Sequence, residues 1–256
     1  MILFIYIATG ILGLALGSFL NVVIYRLPKG LSLMGPRSLC PGCHAKIHFY
    51  DNIPVISFFL LRGKCRQCGM SISWRYPLVE LMTAVLLIVM LARFGPDINF
   101  IKYSILTLIL VPVTFIDIDE KIIPNRLTFT GLIAGVSITL IFQIELWRFM
   151  LQGMVAGGLF MALLMVLGKW LFKKEAMGMG DLKLLIMIGA YIGISGALLS
   201  VYIGAMIAFV LILIQWLAKR INLKETIPFG PFIAVGTLVY VVLGSELLSW
   251  YRNLVT

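Results

Sequence analysis

Eight long apolar runs decide what this 256-residue chain can become. They lie at roughly 2–25, 77–94, 99–116, 127–144, 149–168, 182–194, 196–217 and 231–249. In hydrocarbon the backbone N–H and C=O groups find no water, so such runs are stable only as helices that close their hydrogen bonds internally. Hydrophobic residues make up 61% of the chain and charged residues 12%, and the mean hydropathy is +1.05, values that exclude a soluble domain. The expected fold class is an all-α integral membrane protein of about eight transmembrane helices. Met1 to Tyr25 has no charged side chain, no basic leader and no small-x-small cleavage pattern. It reads as a retained transmembrane helix and not as a signal peptide. The run from Leu182 to Ile194 is too short to cross a bilayer comfortably.

The net charge of +10 takes its meaning from where the basic residues fall. One set of loops carries Arg26, Lys29, Arg37, Lys46, Arg62, Lys64, Arg66, Arg75, Lys121, Arg126, Lys169, Lys173, Lys174, Lys183, Lys219, Arg220 and Lys224. The other set holds only Arg93, Lys102, Arg148 and Arg252. Such a bias places the first set in the cytoplasm and both chain termini outside. Topology therefore accounts for the excess charge without a nucleic-acid partner, and the same residues suit anionic lipid headgroups.

Residues 26–76 are the one long polar stretch, and they hold all four cysteines, as Cys40-Pro41-Gly42-Cys43 and Cys65-Arg66-Gln67-Cys68-Gly69. Two CxxC pairs separated by 21 residues can close four thiolates tetrahedrally around one zinc ion, with the glycines easing the turns. A disulfide framework is disfavoured in the cytosol, and a redox dithiol needs one such pair, not two. A site of four sulfurs has no open position for water, so the expected zinc is structural, and His44 and His48 are expected at the surface. The expected regions are a first transmembrane helix at 1–25, a zinc-binding cytoplasmic loop at 26–76 and a seven-helix membrane region at 77–256. Asn21 lies inside the first helix, where its amide needs a partner; an interhelical hydrogen bond is the simpler reading and a site the other. Glu80, one turn into the second helix, suits either a salt bridge to Arg75 or Arg26 or a polar site near the cytoplasmic surface.

Two acids stand out. Asp181 follows Gly178-Met179-Gly180 at the head of the short apolar run, where an Asp also serves as a plain helix cap. Asp117 follows a run with no acid since Asp97. Asp119 and Glu120 read as a solvated cluster, and on a helix Asp119 points roughly 160° away from Asp117. Ionisable groups at a membrane boundary are functional candidates. Asp117 and Asp181 share one depth on different helices. Two carboxylates at one site divide the duties of base and acid, as in aspartic proteolysis. With only His44 and His48 present, there is neither a Ser/His/Asp set nor an HExxH zinc motif. Two other functions fit the same residues: a proton-coupled secondary transporter using the aspartates as a relay, and a non-enzymatic scaffold docking through the zinc loop.

Together, Asp117 seven residues before Pro124-Asn125, the Gly178-x-Gly180-Asp181 motif, the paired cysteines, Gly17-Ser18-Phe19-Leu20-Asn21-Val22-Val23-Ile24-Tyr25-Arg26-Leu27-Pro28 and Pro228-Phe229-Gly230-Pro231 resemble the GxGD membrane aspartyl proteases of the type IV prepilin peptidase family. They resemble its long bacterial form, a leader peptidase and N-methyltransferase. That resemblance implies Asp117 and Asp181 as the catalytic pair, Cys40, Cys43, Cys65 and Cys68 as zinc ligands, and cleavage of the basic leader of type IV prepilins or pseudopilins at the cytoplasmic face of the inner membrane. It also implies methylation of the new amine with S-adenosylmethionine. No glycine-rich methyl-donor motif is visible. A charged, water-soluble donor is therefore expected between the loop and the cytoplasmic helix ends, near Asn21, Arg26 and Glu80, with cleavage first and methylation second.

Overall fold

The computed structural model describes residues 2–35, 39–173, 178–218 and 227–255. Arg37, Lys174, Lys219, Arg220 and Lys224 of the basic set lie outside them. The helices are α1 (Ile2–Arg26), the short α2 (Ile56–Leu60), α3 (Arg75–Phe94), α4 (Ile98–Glu120), α5 (Asn125–Phe142), α6 (Trp147–Phe172), α7 (Met179–Leu217) and α8 (Gly230–Val255). Seven of these, all but α2, are long and apolar enough among the described residues to cross a membrane. The chain divides into two compact units, Met1–Phe100 and Ile101–Thr256.

In the first unit α1 packs along α3. Their backbones approach closely because α1 presents Gly13 and Gly17: a Cβ at either would meet the α3 backbone, at Ala84 and Glu80 respectively. Asn21 is buried there, and its Nδ2 donates to the Tyr76 carbonyl in the first turn of α3 at 3.1 Å. This is the expected interhelical bond. The connecting loop has little core of its own beyond Phe58, whose ring lies 4.6 Å from that of Trp74.

In the second unit α7 accounts for the difference between seven helices and eight expected crossings. Gly193 adopts φ 67°, ψ −166°, a conformation open only to glycine, and the Phe149 ring fills the place of its missing Cβ. Before this break, Gly189 lies against Gly153 and Leu185 against Gly157, so the first leg runs antiparallel to α6. After it, Ser200 lies against Gly236 and Gly204 against Phe232, so the second leg runs antiparallel to α8. Ile123 touches both Gly180, where the first leg begins, and Gly230, where α8 begins. The second leg therefore returns toward the end that the first one left. α7 is two antiparallel legs joined by a reversal with almost no loop, in agreement with the separate runs 182–194 and 196–217. Its first leg is further held by Tyr191, fully buried, whose hydroxyl donates to the Gly131 carbonyl of α5 at 2.8 Å.

Candidate active site and metal centre

α4 carries Asp117 at its end, because Lys121, with φ 55°, turns the chain out of the helix as its N–H bonds the Asp117 carbonyl. Ile122 and Ile123 follow, and Pro124 caps α5. Asp117 is only 5% exposed, whereas Asp119 and Glu120 are exposed; the helical wheel turns Asp119 away but puts Glu120 on the face of Asp117, and Glu120 reaches solvent as the last residue of α4. The Oδ2 of Asp117 accepts the N–H of Gly230 at 2.9 Å, so α8 begins on this carboxylate. A Cβ at Gly230 would lie 2.6 Å from that oxygen. Glycine is therefore the residue that lets α8 come so close.

α7 carries Asp181 at its start. The residue is 8% exposed, its Oδ2 accepts the N–H of Gly178 at 3.1 Å, and its own N–H bonds the Gly178 carbonyl at 3.1 Å. It closes a capping box from the third helical position, so Gly178, and not the aspartate that a plain reading of the motif anticipates, is the N-cap. Gly180 serves a different purpose, since a Cβ there would press on Ile123 at 2.9 Å. Ile123 thereby lies against both Gly180, next to Asp181, and Gly230, whose N–H holds Asp117. Lys183 Nζ donates to Asn125 Oδ1 at 2.9 Å, fastening the start of α7 to that of α5. Neither the N–H of Gly230 nor the side chain of Ile123 is marked by the sequence pattern as part of a site. The signal available was glycine at a helix start between two prolines.

In the first unit the four cysteine sulfurs lie within 4.8 Å of one another and could hold a metal ion. The Sγ atoms of Cys40 and Cys68 are 3.7 Å apart, close to the roughly 3.8 Å edge of a tetrahedron with metal–sulfur bonds of about 2.3 Å. Two copies of one turn build the site. Cys40 N–H bonds the Ala45 carbonyl, and Cys65 N–H bonds that of Met70. His44 N–H returns to the Cys40 carbonyl, and Gly69 N–H to that of Cys65. The fifth position of each turn is left-handed, φ 71° at Gly69 and 55° at His44. So in the first turn the histidine, not Gly42, takes the conformation glycine favours. At Gly42 a Cβ would meet Met70 Sδ at 2.6 Å, so any larger residue there would have to displace that flexible side chain. His44 and His48 are exposed. Backbone N–H groups of Cys43 and Gly42 hold the Cys40 thiol down at about 6, a thiolate ready for a metal. Against a bond from Met70 N–H, desolvation and hydrogen bonds to the other cysteines push Cys68 up to about 11.

Between this centre and the facing ends of α1 and α3 lies a cavity of about 780 Å³. Asn21, Arg26 and Glu80 all line it. Each also ties the fold: Arg26 donates to the Ser32 carbonyl at 3.0 Å, and Glu80 Oε2 accepts the N–H of Val55 at 2.7 Å. Val55 is a β-branched residue at φ 61°, a strained position that the Glu80 bond helps to hold at the head of α2. Asp51, also in the wall, receives a bidentate pair from Arg66.

The chain matches the Bacterial Peptidase A24 N-terminal domain over residues 11–94 and the Type IV leader peptidase family over residues 104–214. Among its relatives are proteins named prepilin leader peptidase/N-methyltransferase. That of Aeromonas hydrophila is 36% identical over 93% of this chain and 90% of its own length. That of Bacillus subtilis is 34% identical over 94% and 95%. That of Myxococcus xanthus is 42% identical over 71% of this chain and 54% of its own length. No solved structure matches the chain.

Proposed function

This chain belongs to the prepilin leader peptidase/N-methyltransferase family, and from that premise we propose how its residues divide the two reactions. It is a membrane endopeptidase that removes the leader of prepilins and an N-methyltransferase that modifies the amine so exposed. A transporter relay finds no support in these relatives.

Asp117 and Asp181 are the catalytic pair. The observation that carries this reading is the convergence of two buried carboxylates, from α4 and from α7, around Ile123 and Gly230. The pair holds one proton between its two members. As a water oxygen bonds to the scissile carbonyl carbon, the ionised carboxylate takes a water proton and the protonated one gives its proton to the carbonyl oxygen. Collapse then breaks the C–N bond, and a carboxyl proton passes to the leaving amine. The acceptor amine exists only after this step, so methylation follows cleavage.

The metal at Cys40, Cys43, Cys65 and Cys68 is zinc in a structural role, supported by all-thiolate ligation and by a loop with almost no core of its own. S-adenosylmethionine supplies an electrophilic methyl group when bound. Its site is the cavity lined by Asn21, Arg26 and Glu80, whose volume lies within the roughly 300–1,000 Å³ of small-molecule pockets. The region 26–76 with the helices beside it serves methylation, and the remainder of 77–256 serves cleavage. The basic loops face the cytoplasm of a bacterial inner membrane, the termini face outward, and the substrates include pseudopilins. The test is purified protein in detergent with a prepilin. Asp117→Asn and Asp181→Asn should each lower cleavage by about 10²–10⁴-fold, and the double variant should be no worse than either single. Full cleavage by either variant refutes the assignment, and activity that requires sealed vesicles would restore the transporter.

A further inference from the structure

The two carboxylates are held in the same way by different parts of the chain. Gly230 donates its N–H to Oδ2 of Asp117, and Gly178 donates its N–H to Oδ2 of Asp181. Among the described residues neither Oδ1 has a hydrogen-bond partner. An oxygen that accepts a backbone N–H is favoured as the negative end of its carboxylate and is poorly placed to receive a proton. Both donors are glycines, for separate reasons. At Gly230 a Cβ would sit 2.6 Å from the very oxygen being held. At Gly178 the nearest atom to a Cβ is 3.8 Å away and φ is −87°, so a side chain is tolerated there and only the N–H is needed.

We infer that Gly178 and Gly230 are positioning residues whose backbone N–H groups clamp one oxygen of each aspartate, leaving the two Oδ1 atoms to carry the proton and meet water. The inference rests on Asp117 and Asp181 being the catalytic pair. The clamps turn each carboxylate about its Cβ–Cγ bond and so fix which edge faces the scissile bond. Such preorganisation acts on turnover rather than on binding. It also gives the Pro228-Phe229-Gly230-Pro231 segment a task beyond starting α8. The segment delivers an N–H to an oxygen 113 positions earlier in the chain.

Position 178 separates the N–H from the side chain. Gly178→Ala keeps the donor and adds a methyl group at ordinary contact distance, 3.8 Å from Asp181 Oδ2 and from Gly180 N. Gly178→Pro removes the donor at φ −87°, a modest adjustment from the roughly −65° that proline fixes. Prepilin cleavage by the full-length protein in detergent is measured for both, with kcat and KM resolved and thermal melting as the check on folding. Gly178→Ala should stay within about threefold of the parent, while Gly178→Pro loses at least about tenfold in kcat with KM nearly unchanged. Should the proline variant fail to fold, exchanging the Gly178 amide for an ester in protein made by cell-free translation deletes the same donor and should give the same loss of kcat. Full turnover by a folded donor-less variant overturns the clamp. Equal losses in the alanine and proline variants also overturn it, because the shape of the turn and not the N–H would then matter. Cleavage by Asp181→Asn in the same assay is a different failure, one that removes the catalytic pair itself.

Discussion

At the scale of single residues, neighbouring acids of the same type separate by environment. Asp117 and Asp119 are two positions apart, yet one is buried on a glycine N–H and the other is exposed. Asp119→Asn should therefore leave cleavage within about threefold of the parent, against the 10²–10⁴-fold expected where a general acid or base is lost. Gly230→Ala should impair cleavage in folded protein, because its methyl group displaces the Asp117 carboxylate; steady-state cleavage with a melting control checks this. Glu80 makes the complementary case. It lines the cavity, but its oxygen also satisfies the Val55 N–H. Glu80→Ala leaves that donor without its acceptor, so a loss of about 1–3 kcal/mol is expected in the first unit. Increased proteolysis of the loop around Val55, with melting alongside, measures it. Asp117, Gly178 and Asp181 were legible in sequence as acids and glycines at the ends of apolar runs. Ile123 was not, because an isoleucine has no chemistry to announce and matters only through the two glycines it touches.

At the scale of elements, the cysteine turns and the break in α7 both depend on left-handed backbone. The paired turns are legible from spacing, since CxxC repeated over a polar loop leaves few other ways to gather four sulfurs. Their cost to the fold becomes testable through the metal. Elemental analysis should find about one zinc per chain, and Cys40→Ser should bring this close to zero, because one missing thiolate opens a four-coordinate site. Limited proteolysis between residues 40 and 68 should then accelerate, while the helices keep their circular dichroism. The α7 break lies on the other side of legibility. Two apolar runs meeting at Ser195, with Gly193 and Gly196 close by, indicate a division, but not that the chain reverses within so few residues. Gly193→Ala would force an alanine into a conformation essentially reserved for glycine and drive its methyl group into Phe149. A destabilisation of at least about 1–3 kcal/mol is expected, measured as thermal melting in detergent.

At the scale of the whole molecule, the two compact units each hold one candidate centre, the cavity with its metal turns in Met1–Phe100 and the aspartate pair in Ile101–Thr256. On the proposed assignment the two activities should separate. Cys40→Ser or Cys65→Ser should abolish methylation of a pre-cleaved pilin while retaining much of the leader cleavage, and Asp181→Asn should do the reverse. Both reactions are assayed on one purified preparation, the methyl transfer by label from the donor. If the two activities always fall together in folded protein, the loop belongs to the peptidase instead.

What the sequence determined by itself follows from the solvent. A bilayer forces long apolar runs into helices, so the helical nature of these segments needed no tertiary information. Likewise, the spacing of the cysteines marked a cluster that could hold a metal ion. The tertiary structure alone decided contacts between residues far apart in the chain. Only packing brought the N–H of Gly230 to Asp117 and Ile123 to both Gly180 and Gly230. The same is true of Glu80, whose carboxylate went to the Val55 backbone, a partner no charge pattern marks. Periodicity and composition record what each segment meets as solvent. They carry no record of which backbone donor a buried oxygen will find, because every residue but proline offers the same N–H.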